Sequence, residues 1–240
     1  MIASIHLADV GVGKGLRLLR SHPSASSTPG LRYAATMAAS PLSERRLPRP
    51  SPARVALFAA WEDEAALERF LAEDPLAEAL EHGWRALLQP MHVFGAWTPL
   101  GEIVGAEPPM AEEEPAAVLT LGRLRVSQAV RFLRAGAAAE RLAVADPSLL
   151  RGTGLARPPT LVATFSLWRS VGAMRAYASG SHGTAHRDAV GAHRARPFHR
   201  ESAFLRFRPY RSRGSWDGGD PLSEARAMPP AAASPAQAPR

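Results

Sequence analysis

The chain has 240 residues, a formal net charge of +7, no cysteine and 46% hydrophobic residues. That length allows one large domain or two small ones, with enough apolar material for a buried core. The lack of cysteine excludes disulfides, iron–sulfur clusters, thiolate-ligated haem, Cys-based zinc sites and a cysteine nucleophile, leaving His, carboxylate, Tyr or Met to hold any metal.

Taken in chain order, an N-terminal strand carrying Leu7 runs into an amphipathic segment, Leu16-Arg17-Leu18-Leu19-Arg20. The intervening Gly11-Val12-Gly13-Lys14-Gly15 looks like a phosphate loop, but its glycines are wrongly spaced and Gly15 stands where Ser or Thr should follow the lysine. Residues 38–53 are Pro-rich and read as a long irregular loop. Val55 to Trp61 is an apolar run that reads as a strand. Asp63 follows as a candidate N-cap, with Leu67, Phe70 and Leu71 at helical spacing. Trp84 precedes an alternating strand, Met91-His92-Val93-Phe94, and the acidic, Pro-rich stretch 107–115 reads as a linker.

The same plan then returns. Leu7, Val12, Arg17, Leu19 and Arg20 align with Leu121, Val126, Arg131, Leu133 and Arg134 at one constant offset. Val162 to Trp168 repeats the apolar run ending in Trp, with Ser170 as its N-cap and Met174, Tyr177 and Ala178 on the helix that follows. Phe198 and then Leu205-Arg206-Phe207-Arg208 close the second half as Trp84 and the strand after it close the first. Each half reads strand, helix, one or two strands, helix, strand. This predicts an α+β fold: two tandem ferredoxin-like β-α-β-β-α-β repeats forming an α/β barrel of the dimeric type within one chain. The boundaries expected are a first repeat over 1–106, a linker over 107–115, a second repeat over 116–216 and a disordered tail over 217–240. Two independent α+β domains are the alternative.

Lys14 is the only lysine, so the positive charge is almost wholly arginine. Arginine forks suit phosphate, but a GC-rich codon usage explains them together with the abundant Ala, Gly and Pro. Residues 180–213 hold His182, His186, His193 and His199 among many arginines. The His182/His186 spacing suits a metal, but Gly180 and Gly183 suggest a loop and no third ligand stands out. One histidine in an apolar pocket is enough for a haem, and His186 is the best placed, with Ala189 and Val190 following at core-like spacing; a solvated or core histidine is the plainer reading. Phe198, Phe204, Phe207 and Tyr210 among the arginines would suit a basic RNA-binding module, yet the glycine-containing strand motif of such modules is missing. No run reaches the roughly 18 apolar residues of a membrane-spanning helix, and no signal-peptide pattern opens the chain. A cytoplasmic protein is expected, with a peripheral place at the inner membrane face left open.

Several segments resemble the spheroidene monooxygenase family of carotenoid-modifying enzymes. In the second half these are Gly152-Thr153-Gly154, Ala163-Thr164-Phe165-Ser166-Leu167-Trp168, His186-Arg187-Asp188-Ala189-Val190 and Phe204 to Tyr210. In the first half they are Pro29-Gly30-Leu31-Arg32-Tyr33, Ala59-Ala60-Trp61 and Gly95-Ala96-Trp97. The resemblance covers about residues 1–220 and implies haem-dependent oxidation of a carotenoid to a keto-carotenoid, with O2 as co-substrate and a ferredoxin-type reductant as partner. Carried onto this chain, it makes His186 the haem ligand, Arg206 and Arg208 contacts to the haem propionates, and Arg32, Phe165 and Trp168 residues of the substrate pocket. No nucleic-acid partner is expected. A non-catalytic or cofactor-free α/β-barrel ligand-binding protein is the alternative.

Overall fold

The computed structural model describes residues 1–21, 23–42, 51–101, 103, 105–179 and 197–228. Its first half runs β1 (Ile2–Asp9), α1 (Val12–Leu18), β2 (Leu31–Pro41), β3 (Ser51–Trp61), α2 (Glu64–Glu73), α3 (Pro75–Leu80) and β4 (Trp84–Gly95). The second runs β5 (Ala116–Leu124), α4 (Ala129–Ala145), β6 (Leu149–Arg157), β7 (Leu161–Trp168), α5 (Val171–Ser179) and β8 (His199–Arg213), followed by α6 (Pro221–Ala227). The strands form one closed antiparallel barrel in the order β1-β3-β2-β6-β7-β5-β8-β4. The halves meet edge to edge twice, through β2–β6 and through β4–β8. The α+β barrel expected from the sequence is thus the observed architecture. Among the described residues no helix is long and apolar enough to cross a membrane.

Local chemistry sets the element ends where the sequence placed them. The Asp63 carboxylate accepts from the Ala66 N–H at 2.8 Å and opens α2, and the Ser170 hydroxyl accepts from the Ala173 N–H at 3.1 Å and opens α5. Pro75 lacks the N–H that α2 would need to continue. Asp74 instead ends α2 and caps α3, accepting from the Leu76 N–H at 2.8 Å.

Strand alternation gives the barrel two apolar surfaces. Inward-facing Ile5, Met37, Phe58, Trp84, Leu119, Phe165 and Phe207 fill the interior. Trp97 and Leu100 follow β4, and Trp216 and Leu222 follow β8; because these strands run antiparallel, the two pairs close opposite ends. On the outer face of the first half, Leu67, Phe70, Leu76 and Leu80 of α2 and α3 pack against Leu57, Ala59 and Trp61. His6 is buried within this layer. Its Nε2 lies 3.2 Å from the Ser4 hydroxyl, which also accepts from Trp61 Nε1 at 2.9 Å. Burial, and secondarily the charge of Arg85, lowers the His6 pKa to about 3, so the ring stays neutral.

Two segments expected to be irregular are ordered in part. Within 38–53, β2 continues to Pro41 and β3 starts at Ser51; residues 43–50 lie outside those described. The expected disordered tail instead carries α6, and Leu222 is fully buried. The reason is local: Asp220 accepts from Trp84 Nε1 (2.9 Å), Ser212 Oγ (2.7 Å), Ser223 Oγ (2.7 Å) and the Leu222 N–H (3.3 Å), which fixes the start of α6 over the barrel end. Burial raises the Asp220 pKa, but these hydrogen bonds outweigh it and keep the carboxyl ionised. Composition misled because the capping sequence Asp220-Pro221-Leu222-Ser223-Glu224 sits just before an Ala- and Pro-rich end. Residues 229–240 lie outside those described.

The C-terminal plug is expected to matter for stability: Leu222→Ala should cost about 2–5 kcal/mol in denaturant unfolding. The buried neutral His6 makes stability fall as pH drops below the unfolded-state value of 6.5, because only the unfolded chain takes up that proton. Lowering the pH from 7 to 5 should therefore remove about 2 kcal/mol, and His6→Leu should abolish that part of the slope in urea titrations.

Candidate functional site

The outer face of the second half is built differently. On β5, β7 and β8 the residues pointing away from the barrel include Val118, Thr120, Thr164, Ser166, Trp168, Ser202 and Phe204, and they form the floor of a cavity of about 350 Å3. That volume falls within the usual range for small-molecule sites. The roof is α4 and the side wall is α5. The roof does not collapse onto the floor because α4 turns Ala135, Gly136, Ala139 and Ala143 toward it. These side chains are too short to fill the gap that Leu67 and Phe70 fill in the first half. Phe132 on α4, Met174 and Tyr177 on α5, and Phe198 and His199 at the start of β8 complete the wall.

The aromatic side chains are held in place. Trp168 Nε1 donates to the Ser166 hydroxyl at 2.9 Å, and the Tyr177 ring lies 4.8 Å from that of Trp168. The Tyr177 hydroxyl donates to the Ala139 carbonyl at 2.9 Å, tying α5 to α4 across the cavity. Burial, then the charges of Asp146 and Glu140, pushes the Tyr177 pKa up to about 12, so the phenol remains protonated at neutral pH. Phe132 packs edge-on to Phe198 (6.0 Å) and His199 (5.2 Å). The result is a largely apolar chamber with four hydroxyls on its floor and, in its lining, the His199 imidazole and the Glu140 carboxylate.

The residues singled out from the sequence separate into three groups. Trp168 lies in the cavity wall. Phe165 does not: three residues earlier on β7 it faces the opposite way, into the barrel, with ring centroids 6.3 Å from Trp84 and 6.0 Å from Trp216. Arg32 is exposed on β2 and reaches the Met1 sulfur at 3.9 Å, away from the cavity. Arg206 projects from the outer face of β8, opposite the cavity residue Val118 in register and outside the cavity lining itself, and its Nε is buried without a hydrogen-bond partner among the described residues. Arg208 is engaged elsewhere. Its guanidinium donates to Glu114 (2.7 Å), Gln89 (3.1 Å) and the Pro108 carbonyl (3.1 Å), fastening the segment before β5 to β8. That contact holds the Glu114 carboxyl below its ordinary range. His186, with His182 and His193, lies outside the described residues.

Sequence reasoning did not group Phe132, Tyr177, Phe198, His199 and Phe204 as one wall. The available signals were the small-residue positions of α4 and the alternation on β8 that turns Phe204 away from Leu205.

No family model matches the chain. It is 38% identical over 176 residues to a spheroidene monooxygenase of Rubrivivax gelatinosus, covering 71% of this chain and 66% of that protein. It is 30% identical over 203 residues to a spheroidene monooxygenase of Cereibacter sphaeroides, covering 80% and 60%. The match thus spans no more than about two thirds of either relative's length. Among solved structures, a proposed monooxygenase from Fusobacterium nucleatum aligns over 91% of this chain and 95% of its own, with 8% identity and a TM-score of 0.41, too distant to carry function. The sequence relatives are what place the protein: the chain belongs to the spheroidene monooxygenase family.

Proposed function

We propose that the chain is a haem-dependent monooxygenase that oxidises a carotenoid to a keto-carotenoid with O2 and electrons from a ferredoxin-type reductant, working in the cytoplasm. The observation that carries this reading is the aromatic-walled apolar cavity under α4. The name shared by the sequence relatives supplies the substrate class.

The described lining suits the faces of a haem. A flat macrocycle needs apolar walls, an imidazole ligand and a cation for its carboxylates, and a chain without cysteine has no thiolate to offer. Trp168, Phe132, Phe198 and Phe204 provide the walls. Arg206, with its unpartnered buried Nε, suits a propionate, whereas Arg208 is already occupied. His186 falls in sequence between α5 and β8, both of which wall the cavity, and is the proposed ligand. Bound there, haem would supply iron for the activation of O2.

The chain's own part is binding and orientation. Met174 and the alanines of α4 exclude water and offer apolar contact to the end of a polyene beside the haem. The Thr120, Thr164, Ser166 and Ser202 hydroxyls offer the floor's polar contacts for fixing a ligand. The Tyr177 phenol, protonated and spent on the Ala139 carbonyl, braces the roof rather than moving a proton. Holding an allylic carbon at the oxidising centre is a matter of orientation and needs no pair of acid–base carboxylates.

Protein purified from haem-supplemented cells should show a Soret band that is lost in His186→Ala. Its absence from the wild type favours the cofactor-free ligand-binding reading, and its loss in His199→Ala instead of His186→Ala transfers the ligand to the cavity wall. Because a Cβ added at Gly136 meets nothing within 4 Å and Gly136 lines the cavity, Gly136→Leu should project into it with little disturbance of the fold. Affinity for an apolar polyene, read by quenching of tryptophan fluorescence, should fall at least about tenfold while the Tm stays near that of the wild type.

A further inference from the structure

Phe94, Val126 and Val130 are 56%, 67% and 64% exposed, the most exposed large apolar side chains among the described residues, with Val12 on α1 next at 55%. All three adjoin the same end of the cavity. The Phe94 ring lies 6.1 Å from Phe204. The turn carrying Val126, which leads into Val130 on α4, is bonded to the wall itself: the Arg125 N–H donates to the Phe198 carbonyl at 2.8 Å, and Arg125 Nε donates to the His199 carbonyl at 3.3 Å. Arg125 beside Val126, Arg134 one helical turn after Val130, and Arg200 next to His199 are all exposed. From Pro115 to Ala139 the chain holds no acidic residue. Glu201, at this end of the barrel, is paired with Arg123 and accepts a hydrogen bond from the Thr98 N–H.

We infer that this rim is a docking surface for an anionic lipid bilayer, through which the apolar ligand enters the cavity. The inference rests on the proposed binding of a polyene under α4. Protruding apolar side chains with arginines nearby are what a bilayer interface with anionic headgroups accommodates: the side chains sink below the headgroups and the guanidinium groups stay among the phosphates. Single-stranded RNA would call for stacking surfaces, and two of the three protruding residues are valines, which cannot stack. A second copy of the chain would bring arginines against arginines over a patch of three apolar side chains, far below the roughly 800 Å2 per partner of a stable dimer.

The test is co-sedimentation of the full chain with phosphatidylglycerol–phosphatidylcholine vesicles and with pure phosphatidylcholine vesicles. The wild type should bind the anionic vesicles preferentially. Val126→Ser/Val130→Ser and Arg134→Glu/Arg200→Glu should each weaken that binding about tenfold or more, since one basic residue near an anionic surface is worth roughly a factor of five. No binding by the wild type, binding indifferent to both double substitutions, or binding abolished by competing single-stranded RNA overturns the proposal. So does a concentration-dependent dimer that Val126→Ser/Val130→Ser dissolves. The Soret band in detergent and polyene quenching report on the cavity separately. Intact signals without vesicle binding overturn the docking surface alone, whereas vesicle binding without either signal overturns the reading of the cavity.

Discussion

Closure of the antiparallel barrel is the constraint on which everything else depends. Once eight strands close through β2–β6 and β4–β8, no sheet edge is left, and every strand has one face toward a common interior and one toward the helices. The interior is crowded by Phe58, Trp84, Phe165 and Phe207 and stopped at its ends by tryptophans. A binding site therefore has to form on the outside, between sheet and helix.

The two halves answer this constraint in opposite ways. In the first, Leu67 and Phe70 of α2 reach the sheet and make a solid apolar layer, dense enough to hold His6 neutral. In the second, α4 offers alanines and a glycine to a floor with four hydroxyls, and a chamber remains. A single architecture thus yields one half that stabilises and one that binds. The difference lies in side-chain volume on one helix face rather than in backbone plan. The chamber is kept open by its bracing: Tyr177 joins α5 to α4, and Trp168 is fixed by Ser166.

Much of the fold was legible in the sequence because it is written in local periodicity. The two apolar runs ending in Trp61 and Trp168 are strands β3 and β7, and Asp63 and Ser170 cap the helices that follow. The site was less legible. The family resemblance put Trp168 and Phe165 together in the substrate pocket, although residues three apart on a strand point to opposite faces. Arg206 and Arg208 share a face of β8, yet only the fold reveals that Arg208 meets Glu114, more than ninety residues earlier in the chain.

What the sequence determined by itself is the strands and helices of the barrel, their order along the chain and the resemblance to the family to which the chain belongs. These follow from residue type and spacing over a few turns or strands, where neighbours in sequence are neighbours in space. What only the tertiary structure decided is which face of each strand meets the core, that the C-terminal segment plugs the barrel through Leu222 and Asp220, and that a cavity lies under α4. Each of these depends on whether side chains from distant segments are large enough, or suitably placed, to fill the space between them, and no local pattern carries that information.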